Sequence, residues 1–124
     1  MKINPDLITS EYNVVDNGSE VKTGIKYNGK DVYLKRYFFE NIRTANTTYS
    51  KDLGLTLSSI TVYKIEGVAY SNSSNWFNIP MGDYNNATTW TLMYQLTNSD
   101  NKVKLTVANS NFMNAYINIY YIYN

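Results

Sequence analysis

The stretch Gly24-Ile25-Lys26-Tyr27-Asn28-Gly29-Lys30-Asp31-Val32-Tyr33-Leu34-Lys35-Arg36-Tyr37-Phe38-Phe39 decides the fold class. Two β-prone runs flank Asn28-Gly29. A two-residue type I′ turn needs positive φ at both central positions, and Asn-Gly meets that need at least cost. Val32, Leu34 and Arg36 alternate with Tyr33, Lys35 and Tyr37, which is the two-residue period of a strand. The segment therefore predicts a β-hairpin.

Outward from this hairpin the pattern repeats. Residues 45–53 read as a polar strand or extended loop. Residues 60–70 form a strong strand pattern, followed by the polar loop Ser71-Asn72-Ser73-Ser74-Asn75. Trp76-Phe77-Asn78-Ile79 is a short strand ending at Pro80, where a missing N–H is tolerated. Gly82-Asp83-Tyr84-Asn85-Asn86-Ala87 is the longest candidate loop, and residues 88–96 return to strand alternation. Val103, Leu105 and Val107 point inward from a cleanly alternating run. The chain closes on a Tyr- and Ile-rich strand over residues 115–123. No segment holds apolar residues at helical spacing for more than a turn. The prediction is an all-β fold, an antiparallel, jelly-roll-like β-sandwich of roughly seven to nine strands. Residues 1–20, with the turn-rich Asp16-Asn17-Gly18-Ser19-Glu20, read as a connector or stalk end, and residues 21–124 as the sandwich.

Composition narrows the function. The chain has 124 residues and no Cys, so it forms no disulfide. It also has no His, which removes the usual general base and metal ligand and with them the Ser-His-Asp and Cys-His arrangements. Asp52, Glu66, Asp83 and Asp100 lie on different predicted elements and form no evident pair, so the reading is non-enzymatic, with no cofactor and no metal site. A net charge of +1 argues against a nucleic-acid partner, which asks for a basic face. No window approaches the roughly 20 apolar residues of a membrane helix. Met1-Lys2-Ile3-Asn4-Pro5 leads into no apolar run, which argues against a signal peptide. Tyr supplies 13 residues, a type suited to strands, interfaces and contact with sugars.

The hairpin also carries a family resemblance. Ser19-Glu20-Val21-Lys22-Thr23-Gly24, then Tyr27-Asn28-Gly29-Lys30 and Val32-Tyr33-Leu34-Lys35, resembles the start of C-terminal tip domains in bacteriophage tail-fibre and baseplate receptor-binding proteins. That pattern has an acidic residue, a Gly, a Trp, then Asp-Gly-Lys-Pro and an apolar–Tyr pair. Gly24, Gly29, Lys30 and Tyr33 match it; Lys26 stands where Trp is usual and Asp31 where Pro is usual. Ala45-Asn46-Thr47-Thr48, Ile60-Thr61-Val62-Tyr63-Lys64-Ile65-Glu66-Gly67 and Ala115-Tyr116-Ile117-Asn118-Ile119-Tyr120-Tyr121 are similar to later strands of the family. The resemblance implies a homotrimeric β-sandwich at the tip of a virion tail fibre. Its role would be to recognise a host cell-surface glycan or to dock onto a neighbouring virion protein. A head (capsid) fibre or decoration protein, and a monomeric carbohydrate-binding module of a bacterial cell-surface system, are the alternatives.

Two groups of residues are candidates for contact. Asp83, Tyr84, Asn85 and Asn86, with Trp76 and Trp90 nearby in sequence, combine aromatic faces with groups that pair with hydroxyls, as a glycan requires. The alternative places both Trp residues in the core or at a subunit interface. Tyr116, Tyr120, Tyr121 and Tyr123 alternate with isoleucines so that the last strand is apolar on both faces, and a strand of that kind is buried on both. Either a neighbouring subunit or a central position in one sandwich satisfies it.

Overall fold

In the computed structural model, residues 18–72, 74–80, 92–108 and 110–124 are described. They form eight strands: β1 (Val21–Tyr27), β2 (Lys30–Glu40), β3 (Thr47–Asp52), β4 (Ile60–Ser71), β5 (Trp76–Ile79), β6 (Leu92–Thr97), β7 (Lys102–Val107) and β8 (Phe112–Tyr123). One short 3-10 turn, Leu57–Ser59, precedes β4. All pairings are antiparallel. A five-stranded sheet has the order β1-β2-β8-β4-β5, and a three-stranded sheet the order β3-β7-β6. The protein is an all-β antiparallel sandwich. The chain-distant pairs β2·β8 and β3·β7 nest one inside the other, the wrapping expected of a jelly-roll-like fold. β4·β8 is a third chain-distant pair, and β1·β2, β4·β5 and β6·β7 are hairpins.

The first hairpin forms as its sequence dictates, with Asn28 at φ 51° and Gly29 at φ 73°. Further back, the β1–β2 register shifts between Lys22 and Lys26, around Gly24 at φ 85°. A bulge leaves groups without ladder partners. The fully buried Thr23 hydroxyl repairs this, donating to Val32 O (2.7 Å) and accepting from Ile25 N (3.1 Å).

The core lies between the sheets. Val103, Leu105 and Val107 of β7 are fully buried, and each contributes roughly 1.5–3 kcal/mol by leaving water. They face Ala115, Ile117, Ile119 and Tyr121 of β8, with Tyr37 and Phe39 of β2 and Ala69 of β4. Ile42 and Leu53, from the segments flanking β3, complete this cluster. β8 is the central strand of its sheet. Its other face buries Tyr120 and Ile122 in a second cluster with Val32, Leu34 and Ile25. Of the expected connector, only residues 18–20 are among those described. Gly18 N donates to Arg36 O (2.9 Å), which lays this segment against β2.

Candidate functional site

Strand alternation sends every second residue of the five-stranded sheet away from the core. Register then stacks these residues into rows. Glu40, Asn114, Tyr70 and Trp76 form one row across β2, β8, β4 and β5. Phe38, Tyr116, Val68 and Asn78 form the next, and Arg36, Asn118 and Glu66 a third.

The first two rows enclose an apolar depression of about 280 Å³, lined by Phe38, Val68, Tyr70, Trp76, Asn114 and Tyr116. Trp76 forms its rim and is 65% exposed. Its ring lies 4.7 Å from that of Tyr70 at an angle of 46°. Tyr116 is covered on one side by the Arg36 guanidinium, 4.2 Å from the ring centre. Such cation–π contacts hold an aromatic ring in place.

The third row is a polar ladder. Arg36 Nε donates to Asn118 Oδ1 (2.8 Å), and Asn118 Nδ2 donates to Glu66 Oε1 (3.5 Å). The Tyr120 hydroxyl donates to the same carboxylate oxygen (2.8 Å). Lys64 lies 3.9 Å from Glu66 and 4.4 Å above the Tyr120 ring. This network fixes the floor beside the depression, because each member restrains the next.

Of the residues proposed from sequence to touch a ligand, Trp76 stands at this site. Its exposure excludes the alternative that it belongs to the core. Asp83, Tyr84, Asn85, Asn86 and Trp90 lie outside the described residues. The four C-terminal tyrosines divide. Tyr121 is fully buried in the sandwich core and Tyr120 is 6% exposed, so the chain itself covers both. Tyr116 belongs to the depression, and Tyr123 is 41% exposed at the opposite end of the sheet. Sequence reasoning missed Phe38, Val68, Tyr70 and Asn114. Their strands were legible, but the pairing of β2 and β4 with β8 joins strands that are not neighbours in sequence.

The carboxylates are placed otherwise. Asp52 lies 3.9 Å from Lys102, and Asp100 lies 3.3 Å from Lys104. A hydrogen bond from Thr97, reinforced by Lys104, holds the Asp100 carboxyl below its ordinary range. A general acid for glycoside cleavage needs the opposite shift. Among the described residues no group of His, Cys, Asp and Glu side chains could hold a metal ion, and no helix is long and apolar enough to cross a membrane.

These features define a β-sandwich with a built aromatic face. No protein-family model matches the chain, and no curated protein matches it at a significant level. Among solved structures, it is similar to the crystal structure of group B streptococcus pilus 2b backbone protein, with a TM-score of 0.46 and 11% identity. The match covers 84% of this chain and 43% of the other. A likeness of that extent carries no argument about function.

Proposed function

We propose that this chain is a non-enzymatic recognition domain that binds a host cell-surface glycan on the outer face of its five-stranded sheet. The setting implied by the hairpin resemblance is the tip of a virion fibre. The observation that carries the reading is Trp76, a large aromatic surface held open to solvent beside a preformed depression. Isolated exposed apolar residues are ordinary on protein surfaces. An exposed Trp packed against a Tyr at the rim of an apolar depression is a built feature. The C–H faces of a pyranose stack on such rings, while Asn78 and Asn114 offer amides to its hydroxyls.

The homotrimer belongs to the same proposal. Tyr27, Val62, Tyr63 and Tyr123 are exposed at the end of the sheet opposite Trp76, and the rings of Tyr27 and Tyr63 stack 5.1 Å apart. That end is the surface available to neighbouring subunits, and it leaves the recognition face free.

The test is binding to host cells and to their isolated surface polysaccharide. Trp76→Ala should weaken binding at least about fivefold, since an aromatic contact contributes roughly 1 kcal/mol beyond its buried area. Its unfolding midpoint should hardly change, because Trp76 packs only at the surface. Undiminished binding by a folded Trp76→Ala variant would remove the face from consideration.

A further inference from the structure

Charges on the recognition face are not evenly matched. Arg36 is hydrogen-bonded to Asn118 and stacked on Tyr116, and Lys64 sits beside Glu66. Glu66 accepts from Asn118 and Tyr120 as well. Glu40 differs. It is exposed at the end of β2, and among the described residues it forms no ion pair. Its register partner is Asn114, and the same row continues to Tyr70 and Trp76. Neither this row nor the next contains Lys or Arg.

Resting on the reading of this face as a glycan site, we propose that its ligand is a neutral oligosaccharide and that Glu40 determines this specificity. The chemistry of the row fits such a ligand. A carboxylate is a strong acceptor for sugar hydroxyls. Asn114 Oδ1 accepts from Asn41 N (3.4 Å), and its amide nitrogen remains to donate. The aromatic pair supplies the stacking surface. A sialic or uronic acid would instead set its carboxylate against Glu40, and the nearest cation, Arg36, stands one row further on, already held by Asn118 and the Tyr116 ring. Specificity of this kind works by penalising the wrong ligand as much as by favouring the right one.

The experiment is a printed array of neutral, sialylated and uronate-bearing oligosaccharides, probed with the whole chain at low and high salt. Neutral structures should be retained and acidic ones should stay at background. Glu40→Gln should weaken neutral binding by a few-fold. Glu40→Lys should raise acidic binding by up to about fivefold at low salt. That gain should fade at high salt, because exposed charges are screened. Trp76-dependent binding of acidic sugars as tight as that of neutral ones would overturn the proposal and leave the glycan face standing. Binding to no sugar on the array, or binding indifferent to Trp76→Ala, would overturn both.

Discussion

Glu20 accepts hydrogen bonds from the hydroxyls of Tyr121 and Tyr123, and Tyr33 packs against both rings at 6.1 and 5.4 Å. One carboxylate next to β1 thus ties the start of the sandwich to its last strand. Burial, then the Glu20 hydrogen bond, raises the Tyr121 phenol far above its ordinary value, and burial, then the charge of Glu20, does the same for Tyr37. The sign follows from linkage. The folded state holds these protons more tightly than the unfolded state does, so their contribution to stability is complete below the unfolded phenol value of about 10 and declines as pH rises beyond it. Denaturant midpoints should be level through neutral pH and fall above about pH 10. Tyr37→Phe should flatten that alkaline limb, and phenolate absorbance should show Tyr37 and Tyr121 ionising only on unfolding. A limb as steep in Tyr37→Phe as in the parent would contradict this assignment.

Two glycines separate crowding from backbone strain. A Cβ at Gly67 would meet Tyr116 O at 3.1 Å and Ile79 Cβ at 3.2 Å. Tyr116 O is main chain of the central strand β8, so Gly67→Ala should cost about 1–3 kcal/mol. A Cβ at Gly29 meets nothing within 4 Å, but φ is +73° there. Gly29→Ala should cost about 1–2 kcal/mol through the backbone alone. Equilibrium unfolding measures both.

β7 and β8 dominate at the scale of elements. β7 is the middle strand of the three-stranded sheet and directs three fully buried residues at β8. Leu105→Ala should cost about 2–5 kcal/mol by opening a cavity between the sheets. A loss below about 1 kcal/mol, read from the unfolding midpoint, would mean that the sheets do not pack through this strand. The alternation of Val103, Leu105 and Val107 was plain in the sequence because a strand covered on one face needs no partner's identity to show its period. Asn28-Gly29 was plain because its turn chemistry is local. The role of β8 was not settled by the same means. Ile117, Ile119, Tyr120, Tyr121 and Ile122 announce burial on both faces, but a neighbouring subunit and a central position satisfy that pattern equally. Only the pairing with β2 and β4 decides, and those contacts join residues from strands far apart in the chain. The proposed recognition face was obscured for the same reason. Trp76 was visible as an aromatic beside a loop, whereas Phe38, Tyr70, Asn114 and Tyr116 become neighbours through register alone.

For the whole molecule, the sandwich separates two surfaces on one sheet. Trp76 and Tyr70 mark one end, and Tyr27, Tyr63 and Tyr123 the other. In the proposed setting, a fibre tip, one end would meet the assembly and the other the host. Light scattering should give a trimer, three times 14.3 kDa. Tyr63→Ser should weaken it without affecting glycan binding. A monomer at all concentrations would contradict the trimer and leave the recognition face intact.

That face is tested most directly by an NMR titration of the labelled chain with neutral oligosaccharides. The largest shifts should fall on the Trp76 indole N–H and on the backbone amides of Phe38, Tyr70, Asn114 and Tyr116. Shifts gathered elsewhere, for instance at the β6–β7 turn around Asp100, with the Trp76 indole unmoved, would show that the ligand is held by another part of the molecule.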